Sequence, residues 1–385
     1  MKTAKKFMLV FTFVAVNLAA CKTPDNRNEN LPEIYVDLSK EQDFYDISTD
    51  IEPDFEIIAL ETDDQCMLGQ IQKIVFANNQ YYILNSSQIC IYIFNAQGKF
   101  VTKLEKLGRG PGEYLSLTSF AVIGQDIWIF DNTGSKIMRY DANLMNTESI
   151  PLQSTILEIE SLADNLLLSS NFIGYNKRNY QLYQYNTQAH KLTEYLEYTA
   201  QNPDILPIKK DRQFAKLNDS CLFIYSYCNL IYDITASGIE PKYRFKISQR
   251  YEDIPVTYNR YSEEPNVIRG ISAINQTPNS IILEYTDQGR PKYAICNKST
   301  MQCTAYKNTM QASALGGLLI NDYVIQDNNL IACYNSHYLF IPMIFDLDKV
   351  KDAKVKKRFE AITSQLDEYD NPVIIKFRLK PDSGF

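Results

Sequence analysis

From about residue 54 onward the chain alternates short apolar runs rich in Ile, Val, Leu, Tyr and Phe with polar breaks of Asn, Asp, Gly and Ser. Such runs read as β-strands: branched and aromatic side chains pack well on a pleated surface, while the break residues tolerate tight turns. The runs also recur. Tyr81 to Asn85 is followed by Ile91 to Gly98, Ile127 to Asp131 by Ile137 to Asn143, Leu166 to Ser170 by Leu182 to Gln188, and Cys221 to Tyr225 by Leu230 to Gly238. Within them the pairs Phe94-Asn95, Tyr140-Asp141, Tyr185-Asn186 and Tyr232-Asp233 are spaced by 46, 45 and 47 residues, and Ile295-Cys296-Asn297 follows after an insertion. A further strand leaves each unit at Phe100 to Leu104, Glu148 to Leu152, Leu192 to Leu196 and Tyr243 to Ile247.

A period in the forties with about four strands per unit predicts an all-β fold, a β-propeller of antiparallel radial sheets around a channel. Five blades are expected at about 68 to 105, 115 to 152, 155 to 198, 212 to 247 and 268 to 307. The remaining strands are Phe55 to Leu60, two within Asp322 to Tyr334, and Pro372 to Leu379. A closed ring must fasten its ends, and pairing the early strand with the late ones removes open edges. The expectation is therefore six blades, the sixth built from both ends of the chain. Val355, Phe359, Ile362 and Leu366 recur at helical spacing and predict an amphipathic helix inserted in that last blade, capping apolar surface.

The beginning of the chain has a different character. Lys2, Lys5 and Lys6 precede an apolar run from Phe7 to Val16 and then Leu18-Ala19-Ala20-Cys21, the pattern of a secretion signal. The run is well short of the roughly 20 residues that span a bilayer as a helix. The tetrapeptide ending at Cys21 resembles the lipobox of bacterial lipoproteins, which implies cleavage before Cys21 and acylation of its thiol. Acyl chains anchor a protein at about 0.8 kcal/mol per buried CH₂. Residues 22 to 32 are polar, with Pro24 and Pro32, as a flexible tether would be. The expected organisation is a signal peptide at 1–20, a tether and N-terminal segment at 21–53, and a propeller domain at 54–385.

Leu107-Gly-Arg-Gly-Pro-Gly-Glu-Tyr114, Ile57 to Thr62 followed by Leu68-Gly-Gln-Ile71, and Asp370 to Lys380 resemble the six-bladed β-propeller lipoproteins of Gram-negative bacterial envelopes. The likeness spans essentially the whole mature chain. It implies the same fold and a lipid-anchored place in the cell envelope, at the outer membrane on its periplasmic or outer side. It implies no reaction, because the family has none generally assigned.

Charge and composition narrow the function. Without residues 1–20 the chain carries 36 basic and 46 acidic side chains, so a phosphate-binding surface for nucleic acid is not expected. With His190 and His337 the only histidines, a multi-histidine zinc site is not expected either. Eight cysteines less Cys21 leave seven, an odd number. Cys296 and Cys303 flank a short turn and would lie opposite one another in a hairpin; burial as small apolar side chains is preferred there over a disulfide.

Two inter-blade connections are candidates for ligand contact. Gly108 to Tyr114 places three glycines and Pro111 in a tight loop at the expected channel mouth, with Arg109, Glu113 and Tyr114 as candidate ligand-binding residues. It is not a phosphate loop, since no Lys-Ser/Thr follows. The preferred reading is an inter-blade latch in which Arg109 and Glu113 satisfy backbone groups or each other, with direct ligand contact as the alternative. The second connection, Ser248 to Arg269, interleaves Tyr258, Arg260 and Tyr261 with carboxylates. Rings and forked donors there suit a glycan, peptide or protein partner. The expected function is a binding module without a cofactor. The competing expectation is a hydrolase or lyase with carboxylates at the channel mouth, assisted by Ca²⁺.

Overall fold

The computed structural model describes residues 30–170, 179–198, 212–252, 260, 263–264 and 266–385. The described residues form a six-bladed β-propeller. From the channel outward, blade one is Ile71–Ala77, Gln80–Asn85, Cys90–Asn95 and Phe100–Leu104. Blades two, three and five repeat this order from the inner strands Phe120–Ile123, Glu158–Leu162 and Ala273–Gln276 to the outer strands Asn146–Pro151, Lys191–Tyr198 and Cys303–Tyr306. Blade four runs from Phe214–Leu217 to Gly238–Ile247. These limits fall within a few residues of those the repeat predicts.

Blade six closes the ring as expected. Tyr323–Gln326, Asn329–Tyr334 and Val373–Arg378 come from the late chain, and Glu56–Ala59 from the early chain pairs antiparallel with the last of them, Ile57 opposite Ile375. The helix Ala353–Thr363 is inserted before that final strand, its N-terminus capped by the Asp352 side chain. Its buried Phe359 packs on Phe55 and Phe345, so the helix covers the outer core of the closing blade. Leu366 joins the same core from just beyond the helix.

The apolar pattern has a direct cause. Each blade packs a neighbour on both faces, so successive residues of its second strand serve two different interfaces. In blade one Tyr82 and Leu84 join the cluster shared with blade two, while Tyr81 and Ile83 join the cluster shared with blade six. Six buried clusters result, one for each contact between neighbouring blades. That two-sided burial is why the middle strands read as continuous apolar runs.

The segment before blade six holds a feature that the sequence reading does not contain. Glu33–Val36 adds a fifth, parallel strand to the outer edge of blade four, with Ile34 and Val36 buried. The chain then bridges to blade five at Gln42–Tyr306, to a small hairpin at Asp46–Gln311, and to blade six at Ile51–Leu379. It forms a strap across half of the ring.

Cys296 and Cys303 also depart from expectation. They are opposed across the hairpin as the spacing suggests, but they are joined in a disulfide instead of being buried as free thiols. A four-residue turn brings the two Cβ atoms of an opposed pair within bonding reach, which decides the pairing. Cys66, Cys90, Cys221 and Cys333 take part in no disulfide among the described residues.

Candidate functional site

The inner strand of a blade has a neighbour on one side only, so its other backbone edge faces the channel and needs partners. Side chains from other blades supply them. Gln326 of blade six both accepts from the Phe76 N–H and donates to the Phe76 carbonyl in blade one. Gln72 donates to the Thr118 carbonyl, Gln276 to that of Ala215, and the Lys73 ammonium crosses from blade one to the Ile159 carbonyl of blade three. Arg212 donates to the Tyr323 carbonyl and to Glu284 Oε1 at 2.7 and 2.5 Å, joining blades four, five and six. Many polar residues of the lining are therefore engaged in holding the ring together.

What they enclose is a channel of about 1190 Å³, lined by the inner strands of all six blades. Two glutamates on the inner strand of blade three point into it. Glu158 and Glu160 flank the buried Ile159 and share a face by strand alternation. Glu160 accepts from the Ser161 N–H at 2.8 Å and lies 3.6 Å from the Lys73 ammonium. Burial works against its charge, but Lys73 and Lys216 outweigh it and hold the carboxyl below the usual glutamate range. Glu158 has no such pair among the described residues. Its Oε2 accepts from the Gln213 N–H at 2.5 Å, and burial pushes its carboxyl up to about 7 despite the opposing pull of Lys73. Two carboxyls one strand step apart are thus tuned in opposite directions by their surroundings.

The candidates named from sequence are placed elsewhere. The Gly108 to Tyr114 loop does not reach the channel mouth: it crosses the outer half of blade two, and the inter-blade connection reaches the lumen only at Thr118 and Ser119. The chain leaves blade one at its outer strand Phe100–Leu104 and must cover the radial width of blade two before reaching the inner strand Phe120–Ile123, so the loop that directly follows the outer strand stays near the rim. Tyr114 is fully buried, and its hydroxyl donates to the Ile89 carbonyl at 2.8 Å. Glu113 folds back so that its Oε2 accepts from the Gly110 N–H at 2.6 Å. A Cβ on Gly108 would stand 2.0 Å from that oxygen, and Gly112 has φ +75° beneath a carbonyl that accepts from Tyr140. These are the contacts of a latch between blades one and two. Arg109 projects from the loop, exposed and without a partner among the described residues.

In the second connection Tyr258 and Tyr261 lie outside the described residues. Arg260 pairs with Glu252 at 2.9 Å and with Glu264 at 3.2 Å, and the buried Arg269 binds the same two carboxylates at 3.0 and 2.8 Å. This lattice ties the start of the connection to its end, and none of these four residues lines the channel. Cys21 also lies outside the described residues. Among the described residues no three His, Cys, Asp or Glu side chains are arranged to hold a metal ion, and no helix is long and apolar enough to cross a membrane.

The channel residues Lys73, Glu158, Glu160, Arg212 and Lys216 were not singled out from sequence. One signal was present: Ile71-Gln-Lys-Ile and Glu158-Ile-Glu-Ser put charges on the first strand of a repeat whose later strands are apolar.

Fold and channel together define a six-bladed propeller with a polar, ion-paired lumen. The chain belongs to the DUF4934 family, a domain of unknown function, whose model matches residues 36–378. It is similar to the crystal structure of a Bacteroides fragilis protein whose name infers that it is exported, with a TM-score of 0.68, 19% identity, and coverage of 90% of this chain and 99% of that one. A member of the DUF4221 family from Bacteroides vulgatus gives a TM-score of 0.48 at 10% identity, covering 86% of this chain and 99% of that one. No curated protein matches the chain.

Proposed function

We propose that this protein is an exported, lipid-anchored propeller of the bacterial cell envelope, held at the outer membrane through Cys21, and that it acts as a binding module with its ligand in the central channel. The carrying observation is that the channel is open and that charged and amide side chains, among them Lys73, Glu158, Glu160, Arg212, Lys216 and Gln326, stand in its lining beside the apolar ones. The inferred export of the structurally similar Bacteroides fragilis protein and the lipobox-like Leu18 to Cys21 support the address. A rigid ring with a preorganised lumen binds without paying for loop ordering.

The test is a thermal-shift screen of the detergent-solubilised full chain against glycans, peptides and divalent ions. A ligand of the folded state raises the apparent melting temperature, by an amount that grows with concentration over Kd. The reading expects such a shift, and expects it to vanish in Asn335→Trp, which narrows the lumen at a lining residue whose side chain makes no capping bond. A shift that survives this change places the ligand outside the channel and overturns the reading.

A further inference from the structure

The lining can be divided into groups the ring uses and groups it leaves over. Gln72, Lys73, Gln276, Gln326 and Arg212 are bound to backbone atoms or carboxylates of other blades. On the adjoining inner strands of blades three and four, two charged groups are not used up. Glu158 commits only Oε2, to the Gln213 N–H, while its Oε1 makes no hydrogen bond and the carboxyl no ion pair among the described residues. Lys216 commits one ammonium hydrogen, to Ser161 Oγ at 3.3 Å, and makes no direct ion pair there. Both lie on adjoining inner strands of blades three and four, facing the lumen.

The charge count around them is uneven. Lys73 and Lys216 both act on the single carboxylate of Glu160, and Arg212 is matched by Glu284. Among the described residues of these two strands, Lys216 has no carboxylate to itself unless Glu158 is ionised; Asp322 and Asp327, the other acidic residues of the lining, stand at the two ends of the inner strand of blade six. Glu158 is faced by Lys73 from blade one, by Glu160 on its own strand, by Arg212 and the Gln213 N–H from the inner strand of blade four, and by the thiol of Cys221 behind it. Burial holds its proton to about pH 7.

We propose that the channel takes a carboxylate-bearing ligand at this place, the ligand's carboxylate accepting from Lys216 while Glu158, in its acid form, donates to a second ligand oxygen. This rests on the channel being the binding site and names the chemistry of what enters it. An arriving carboxylate gives the Lys216 ammonium an anionic partner of its own and at the same time favours the protonated form of Glu158, because two carboxylates in one site cannot both ionise easily. Binding therefore carries a proton in with it. The same carboxylate chemistry belongs to sugar acids and to peptide C-termini.

Calorimetry on the full chain with matched pairs separates these cases: glucuronate against glucose, and acetyl-dialanine against its amide. At least one acid is expected to bind while its neutral twin does not, with proton uptake seen as a dependence of the heat on buffer ionisation. Affinity is expected to weaken about tenfold per pH unit above 7, the limit for one coupled proton. Lys216→Gln is expected to lower affinity by about ten- to a hundredfold, the range for a charge-assisted hydrogen bond, and Lys216→Arg to recover most of it. Glu158→Gln keeps a donor and is expected to bind well at pH 8, with the pH dependence gone. Which acid binds identifies the source. Equal binding of acid and neutral twin overturns the carboxylate inference and leaves the channel reading standing. Binding of neither acid at millimolar concentration overturns the inference too, and the channel reading is then decided by the Asn335→Trp screen.

Discussion

A carboxyl that keeps its proton to about pH 7 ties the chemistry of the channel to the stability of the fold. In the unfolded chain Glu158 releases its proton near 4.5, and in the native ring burial delays release to about 7. Below 4.5 both states are protonated and the group makes no difference. Between 4.5 and 7 the native state binds more protons than the unfolded one, so stability falls as pH rises, and above 7 the full cost is in place. Glu158→Gln removes a charge that folding must desolvate. It is expected to raise the melting temperature by roughly 2–4 °C at pH 8 and to leave it unchanged at pH 4.5, read by differential scanning calorimetry. A rise of equal size at both pH values would locate the benefit in packing, not in ionisation. This residue was hard to find from sequence because its partners, Gln213 and Lys73, come from other blades, and only the closed ring brings them within reach.

At the scale of elements the repeat was legible because each blade obeys the same two-sided burial, and that is written locally in every run from Tyr81 to Tyr306. The Gly108 to Tyr114 loop was legible as a motif, but its position over the outer half of blade two depends on how far along the radial path from outer to inner strand it falls, which the motif itself does not encode. Its latch contacts make a definite prediction. The Tyr114 hydroxyl donates to the Ile89 carbonyl and approaches the Leu104 carbonyl at 3.3 Å, both within the blade one and two contact. Tyr114→Phe leaves the ring in place and strips these carbonyls of their donor in a buried site, at a cost of about 1–3 kcal/mol. Urea unfolding is expected to show a lower midpoint with unchanged slope. Arg109→Ala, on the exposed tip of the same loop, is expected to leave the midpoint within about 0.5 kcal/mol of the parent. A stability loss at Arg109 matching that at Tyr114 would contradict the division of the loop into a buried latch and a free tip.

At the scale of the whole molecule, closure and the anchoring proposed at Cys21 are two separate devices drawn from the same end of the chain. Closure begins at Glu56–Ala59, and the strap that precedes it is fastened to blades four, five and six from Glu33 onward. The strap was not legible because its strand, Glu-Ile-Tyr-Val, is short and lies in polar sequence that reads as linker. Its parallel partner is some 210 residues away, as in Ile34 against Phe245. The fastening confines any anchor at Cys21: the intervening chain, even fully extended at about 3.5 Å per residue, keeps the rim of blade four within about 40 Å of the lipid. With the anchor proposed at Cys21, force or motion at the membrane would reach the strap before the closing strand, and the propeller's stability is expected to be insulated from that attachment. Cys21→Ser, expressed with its signal intact in a Gram-negative host, is expected to move the protein from the membrane pellet to the soluble fraction while its melting temperature stays within about 1 °C of the detergent-solubilised parent, since each event acts on a different part of the chain. Retention of the variant in the pellet would show that a surface of the propeller, not an acyl group at Cys21, holds it to the membrane. Release accompanied by a large fall in melting temperature would show that the lipid supports the ring, and the strap would lose its role as insulation.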